Sequence, residues 1–225
     1  MGAIADLIRV LFDPVPVFER VREKTPFLLP FLALAIVQIV VGLVNMPYLK
    51  AGIRASMAGR EMPAGAPDPA NFAFIGIIAV PIVIILLFLV STLILWVLVS
   101  IFGGEGKFGT LLSVTVYASV PAVILLSIIG SVVLRLKGVE AMASPADLQP
   151  ALGLDLLAPA AKGFTGALLK AINPFSIWGM VLTAIGISVT HKLPRGTGYT
   201  IAMISFALGV LIGAALASMG QGMGG

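Results

Sequence analysis

The sequence predicts an all-α protein, a polytopic membrane helix bundle with five transmembrane helices and amphipathic helices at its N-terminus. Three observations lead to this fold class. The 225 residues are 59% hydrophobic and only 11% charged, with a mean hydropathy of +1.12, whereas soluble domains carry about 25% charged residues. No charged residue occurs between Pro69 and Gly104. Other long apolar runs lie on either side of that stretch, separated by shorter polar segments.

The uncharged stretch contains the longest predicted span, over residues 72–102. As a helix it would be about 46 Å long, because each residue adds roughly 1.5 Å. The hydrocarbon core of a bilayer is about 30 Å thick. We therefore expect this helix to tilt, or to bend at Pro81, with its ends in the headgroup layers.

Residues 1–26 precede the first span and predict two amphipathic helices. Apolar residues recur at helical spacing in the first of them, and they are Ile4, Leu7, Ile8, Leu11 and Phe12. Asp13 and Pro14 are typical of the start of a second helix, on which Val17, Phe18 and Val21 share one face. Two interpretations have equal support: an interfacial anchor or docking helix, and packing against the protein's own helices.

Residues 27–219 form the predicted membrane domain. Its spans cover residues 27–49, 72–102, 108–134, 174–190 and 199–219. Residues 50–71 are predicted to be a loop, and residues 135–173 a longer one that contains a short surface helix with Phe164, Leu168 and Ile172 on one face. Residues 220–225 are predicted to be a flexible tail.

The third span is unusually polar in its first half. Ser113 and Tyr117 are four residues apart, so their hydroxyl groups share a helix face. Pro121 breaks the helix and leaves a backbone carbonyl without its partner. Either these groups line a small polar cavity, or the hydroxyl groups satisfy the backbone around the break.

Two short motifs flank the spans. Gly104, Gly106 and Gly109 form a G-x-G-x-x-G pattern, but a membrane helix precedes it where a nucleotide site needs a buried strand. We interpret these glycines as a tight reversal that leads into Phe108. Asn173 and Pro174 are typical of a helix start, and Trp178 follows where the aromatic belt is expected.

The fifth span carries small residues at four-residue spacing. They are Ser205, Gly209, Gly213 and Ala217. Small residues in this arrangement let another helix approach closely. That helix is either internal or belongs to a second copy of the chain.

The chemistry of the chain argues against several function classes. No Asp, Glu, Lys, Arg or His falls within a predicted span, which argues against an ion-coupled pump. There is no cysteine, and the single histidine, His191, has no second metal ligand in view. We predict no catalytic residues, metal, cofactor or nucleic-acid partner.

Five spans place the two termini on opposite sides of the membrane. Seven basic residues fall on each side, but those on the N-terminal side lie in much shorter segments. Because short segments carry the positive-inside bias, we predict a cytoplasmic N-terminus and an outer C-terminus.

Three stretches resemble the bacterial branch of the Yip membrane-domain family, named for Ypt/Rab-interacting proteins. They are D-P-V-P-V-F at 13–18, the pair G-E-G-K-F at 104–108 and Y-A-S-V-P at 117–121, and N-P-F-S-I-W at 173–178. The resemblance covers nearly the whole chain. It implies a multispanning fold and a non-enzymatic role in a bacterial inner membrane.

Eukaryotic members of that family bind Rab-type GTPases and partner membrane proteins and are linked to membrane shaping. Val116 stands where members often have glycine, and no Asp-Leu-x-Gly-Pro stretch accompanies the second span. These departures argue against a GTPase partner. The resemblance therefore implies a protein that organises membrane lipids, other membrane proteins or copies of itself. The alternative is a small permease, channel or lipid scramblase that uses a cavity around the third span.

Overall fold

The computed structural model describes residues 2–58 and 65–222, the last four of them by their backbone alone. Within these residues the chain is helical and contains no β-strand, so the all-α prediction is confirmed. The α-helices are α1 (Ala3–Arg9), α2 (Pro14–Lys24), α3 (Leu28–Val44), α4 (Met46–Met57), α5 (Ala73–Ile101), α6 (Phe108–Ala118), α7 (Leu126–Lys137), α8 (Gly163–Ala171), α9 (Pro174–Thr190) and α10 (Arg195–Gly222).

Three continuous helical stretches of the described chain are long and apolar enough to cross a bilayer. They are Pro69–Ile101, Phe108–Lys137 and Arg195–Ser218. Two bent pairs, α3 with α4 and α8 with α9, are also long and apolar enough to cross a bilayer when each pair is taken together. The total reaches the predicted five if each bent pair is one span.

The first bent pair differs from the sequence prediction. Residues 50–71 were expected to be a loop, but α4 continues to Met57 after a bend of 64° near Asn45. Pro47 lies in the first turn of α4, where its missing N–H costs no helix hydrogen bond. Proline at that position therefore starts a new helix, and the chain remains helical after it.

The other predicted spans agree with the observed helices to within a few residues. Helix α5 has 29 residues, about 43 Å at 1.5 Å each, and contains Pro81. The π-helical turn Pro121–Leu125 separates α6 from α7 where the sequence predicts a break. Helix α9 has the predicted bounds of the fourth span, and α8 forms where a short helix was expected.

The last helix starts and ends outside its predicted bounds. Helix α10 begins at Arg195, four residues before the predicted start of the fifth span, and its backbone stays helical to Gly222. Residues 220–222 of the predicted tail therefore continue the helix. The rest of that tail, residues 223–225, lies outside the described residues.

The chain divides into two compact units. Unit 1 comprises residues 1–33, 86–122 and 151–225, and unit 2 comprises residues 34–85 and 123–150. In unit 1, Val99 of α5, Leu111 of α6 and Ile187 of α9 belong to one buried cluster. A Cβ added at Gly198 would lie 2.7 Å from the carbonyl oxygen of Ala184, so glycine permits the close approach of α10 to α9.

Candidate functional site

An ion pair between a buried aspartate and a partly exposed arginine joins the two N-terminal helices of unit 1. Arg20 donates from Nε to Asp6 Oδ2 at 3.0 Å and from Nη2 to Asp6 Oδ1 at 2.6 Å. The Asp6 side chain is only 7% exposed. The hydrogen bond to Asp6 raises the pKa of Arg20 above its ordinary value. Paired in this bidentate way, the two charges fix α1 against α2.

The apolar face of α2 packs against α6 and α9. Val17, Phe18 and Val21, which share one face in the sequence pattern, are all buried, so this face packs against the protein's own helices. A Cβ added at Gly186 of α9 would lie 2.6 Å from Val114 Cγ1 and 3.0 Å from Phe18 Cε1. Gly186 therefore leaves the space that the Phe18 ring fills.

Three hydroxyl groups of α6, those of Ser113, Thr115 and Tyr117, are hydrogen-bonded within the protein. Tyr117 is fully buried and donates to the carbonyl oxygen of Ala3 at 3.2 Å, which ties α1 to α6. Ser113 donates to the carbonyl oxygen of Gly109 at 3.1 Å. Thr115 lies 3.1 Å from the Thr92 hydroxyl group of α5. The predicted pair Ser113 and Tyr117 thus bonds to two different backbone carbonyls, and Pro121 begins the π-helical turn.

The outer side of the N-terminal helices exposes an apolar edge, which consists of Ile4, Ile8, Phe12 and Val15. Phe12 is 83% exposed and Ile8 is 66% exposed. The sequence pattern groups Leu7 with these residues, but Leu7 and Val10 are buried. Helix α1 therefore has an inner apolar side that packs on the protein and an outer one that does not.

The glycine-rich loop between α5 and α6 reverses the chain closely. Trp96 Nε1 donates to the carbonyl oxygen of Gly106 at 2.8 Å. A Cβ at Gly104 would lie 2.7 Å from Val99 Cγ1, and one at Gly106 would lie 2.9 Å from Trp96 Cδ1. Both glycines are thus required by packing, and Phe108 opens α6 with an exposed ring.

The motif at residues 173–178 caps α9. Asn173 Oδ1 accepts hydrogen bonds from the backbone N–H groups of Phe175 at 3.1 Å and Ser176 at 3.0 Å. Ser176 Oγ accepts from the N–H of Asn173 at 3.0 Å, which completes a reciprocal cap. Pro174 occupies the first turn of the helix, and Trp178 is partly exposed.

A polar seam connects α3 to α7 in unit 2. Gln38 donates to the Val123 carbonyl of the π-helical turn and to Ser127 Oγ at 3.0 Å. Asn45 donates to Ser131 Oγ at 2.6 Å. Gln38 and Asn45 thus each form a hydrogen bond to a neighbouring helix.

The small residues of α10 are uncovered within the described part of the chain. A Cβ added at Gly209 or Gly213 would meet no atom within 4 Å. Ala217 is exposed and Ser205 is partly buried. The described helices of unit 1 therefore do not pack on the face that carries the two glycines.

Comparison with known proteins decides the family. A family model of the Yip1 domain matches residues 8–217. This chain belongs to the Yip1 domain family. The Yip1 chain is also 27% identical over 210 residues to Membrane protein YknW of Bacillus subtilis (strain 168), which covers 90% of this chain and 85% of that protein. No solved structure matches this chain.

All of the motif residues named from the sequence lie within the Yip1 match, whereas residues 3–7 of α1 precede it. Sequence reasoning assigned no role to Asp6, which stands among the apolar residues of α1. An isolated acid near a basic helix is the sequence feature that could have indicated this ion pair. Its partner, Arg20, is 14 residues away, across a turn. Helical periodicity alone does not indicate such a pairing.

His191, between α9 and α10 of this Yip1 protein, has a buried nitrogen without a partner in the described structure. The Thr190 hydroxyl group donates to the Gly186 carbonyl oxygen at 2.6 Å and lies 2.7 Å from His191 Nδ1. Since the hydroxyl hydrogen is already used, Nδ1 carries the proton, and Nε2 is the buried acceptor with no hydrogen bond. Burial, followed by the charge of Lys107, lowers the pKa of His191 from its ordinary value of 6.5.

This pKa shift predicts a stability that falls in acid. As the pH drops below 6.5, the unfolded chain takes up the His191 proton before the folded chain does, so stability is lost until the folded pKa is passed. We expect the His191→Gln variant to lose less thermal stability than the parent between pH 8 and pH 5. Circular dichroism melts in detergent at both pH values measure this difference. Equal losses in the two proteins would show that His191 does not contribute.

Proposed function

We propose that this Yip1 domain protein is a non-enzymatic inner-membrane protein that organises membrane lipids or partner proteins. The observation that carries the proposal is the apolar edge of Ile4, Ile8, Phe12 and Val15, which is exposed although α1 is fixed to unit 1. An amphipathic helix with such an edge buries it at the boundary between headgroups and acyl chains.

The rigid attachment of the edge supports this role. The Asp6–Arg20 ion pair, the Tyr117–Ala3 hydrogen bond and the buried Phe18 ring all hold the N-terminal helices to α6 and α9. A surface that is ordered before it binds loses less conformational freedom on binding. The edge therefore meets lipid or a partner in a single orientation.

The residue chemistry supports a non-enzymatic role. The described residues contain no group of three or more His, Cys, Asp or Glu that could hold a metal ion. The Ser113 and Tyr117 hydroxyl groups are engaged with backbone carbonyls. This arrangement also favours organisation of the membrane over transport through a cavity at those residues.

Partner proteins have a second surface on α10. Gly209 and Gly213 leave open space, and small residues at this spacing allow close helix contact in lipid. We propose that this face receives a helix of another membrane protein or of a second copy.

The short, basic segments on the N-terminal side favour a cytoplasmic N-terminus and an outer C-terminus.

Native mass spectrometry on protein extracted with its surrounding lipid tests the function. We expect the parent to carry a stoichiometric partner protein or a defined set of lipids. The variant with Ile4→Ser, Ile8→Ser and Phe12→Ser is expected to lose them, while its melting temperature changes little because the three side chains are exposed.

The matched control removes three exposed apolar residues elsewhere, with Leu136→Ser, Leu156→Ser and Leu157→Ser. It is expected to behave as the parent does. A parent that carries neither partner nor defined lipids contradicts the proposed function. The variant with Ile4→Ser, Ile8→Ser and Phe12→Ser is named the edge variant. If it retains partners or lipids as the parent does, the role of the apolar edge is contradicted.

A further inference from the structure

One end of unit 1 gathers basic side chains from three segments that are far apart in the sequence. Arg22 of α2 donates to the carbonyl oxygen of Val189, at the end of α9, at 3.4 Å. Leu193 packs on the buried cluster of unit 1, and its Cδ1 lies 3.2 Å from a Cβ placed at Gly104. The end of α2, the α5–α6 loop and the α9–α10 turn therefore lie together.

These segments carry five exposed cationic groups, Lys24 among them, and the other four form what we name the basic end: Arg22, Lys107, Lys192 and Arg195. All four are exposed, and none belongs to a salt bridge between residues that the structure describes. The nearby acids in the same segments are Glu19, Glu23 and Glu105, which are also exposed. The basic end thus keeps an excess of unpaired positive charge.

Aromatic residues indicate where the basic end lies in the membrane. The Trp96 indole is bonded to the α5–α6 loop, and the partly exposed Tyr199 lies in the first turns of α10. Tryptophan and tyrosine are enriched at the level of the lipid headgroups. Trp96 bonds to the loop that carries Lys107, and Arg195 precedes Tyr199 by four residues, so these two charges lie close to the aromatic residues in the fold or the sequence.

Arg22 is suited to hold a phosphate group. A guanidinium group has five N–H donors, and the described structure gives Arg22 one hydrogen bond, to Val189. That contact places the side chain near the end of α9 and leaves other donors for a ligand. Planar, bidentate binding of phosphate is the chemistry for which arginine is best suited.

We propose that the basic end binds the headgroup of an anionic phospholipid. The site rests on the proposed lipid-organising function, for which it names the class of lipid. It uses residues different from those of the apolar edge, so each set can be removed separately. Anionic lipids attract basic residues beside a membrane through charge, and the attraction weakens as salt is added.

The test measures which lipid the intact protein retains. The purified full chain is mixed with equal amounts of phosphatidylglycerol and phosphatidylcholine, and bound lipids are counted by native mass spectrometry at low and high salt. We expect a preference for phosphatidylglycerol of about tenfold at low salt. The variant with Arg22→Gln, Lys192→Gln and Arg195→Gln is expected to lose most of that preference.

The control variant removes the same charge elsewhere, with Lys50→Gln, Lys137→Gln and Lys162→Gln, and it is expected to keep the preference. Equal losses in the two triple variants would overturn the site, because total charge alone would then explain binding. No preference in the parent would overturn it too.

The edge variant, measured in the same way, separates the site from the proposed function. If it keeps the phosphatidylglycerol preference but loses the partners or lipids that the parent carries from the membrane, both proposals are supported. Retention of a defined lipid set by the parent regardless of headgroup charge overturns only the anionic site.

Discussion

Replacing Phe18 with alanine is expected to destabilise the protein by about 3–5 kcal/mol, the usual cost of removing a buried phenylalanine. The ring is fully buried between α2, α6 and α9, beside Val114 and opposite Gly186. Removing it leaves a cavity that rigid helices cannot close. We expect a lower melting temperature in detergent and faster hydrogen exchange in α1 and α2.

Phe12→Ala is the matched control, since Phe12 lies on the same segment but is 83% exposed. It is expected to change the unfolding free energy by no more than about 0.5 kcal/mol. Comparable destabilisation by the two substitutions would contradict the observed packing of the N-terminal helices. The pair also separates folding from function, because Phe12 belongs to the apolar edge.

The second large effect is expected from Arg20→Met. This variant keeps much of the side-chain volume but leaves the Asp6 carboxylate, 7% exposed, without its bidentate partner. Removing one partner of a fully buried pair costs about 3–5 kcal/mol. Because Arg20 is itself 33% exposed, water screens the pair in part, and we expect about 2–3 kcal/mol.

Arg54→Met tests the same substitution in an exposed pair. Arg54 and Asp68 are 60% and 36% exposed, so the loss of stability is expected to be much smaller than for Arg20→Met. The pKa of Asp68 is lowered first by the Ala70 backbone N–H and only then by Arg54. Thermal melts measure both variants, and equal losses would mean that burial of Asp6 adds nothing.

Hydrophobicity predicted the long helices well where the chain offers long uncharged runs. The bounds of α5 and α9 follow from such runs and from the Asn173–Pro174 cap. The same approach failed at residues 50–57, where charge and proline indicated a loop. There, α4 packs against the 3₁₀ segment Pro145–Leu148, and Gly52 approaches the Ser144 backbone closely. That contact comes from a distant part of the chain, so the local sequence pattern does not predict it.

The two sides of α1 show why the sequence alone did not predict the whole candidate site. Leu7 and Ile8 are both apolar neighbours in sequence, yet one is buried in protein and the other is exposed. In a membrane protein, apolar side chains face either protein or lipid, so hydrophobicity does not separate the two environments. The site residue Asp6 also went unpredicted, because only its tertiary partner makes its burial possible.

The sequence by itself determined the class of this protein, since its uncharged runs are long enough to cross about 30 Å of hydrocarbon as helices. It also determined the helix ends marked by proline, asparagine and glycine, which act on the local backbone. Tertiary structure alone decided that Arg20 neutralises Asp6, that Phe18 lies against Gly186, and that Arg22 reaches the end of α9. These contacts join residues 14 or more positions apart, and packing between helices selects them.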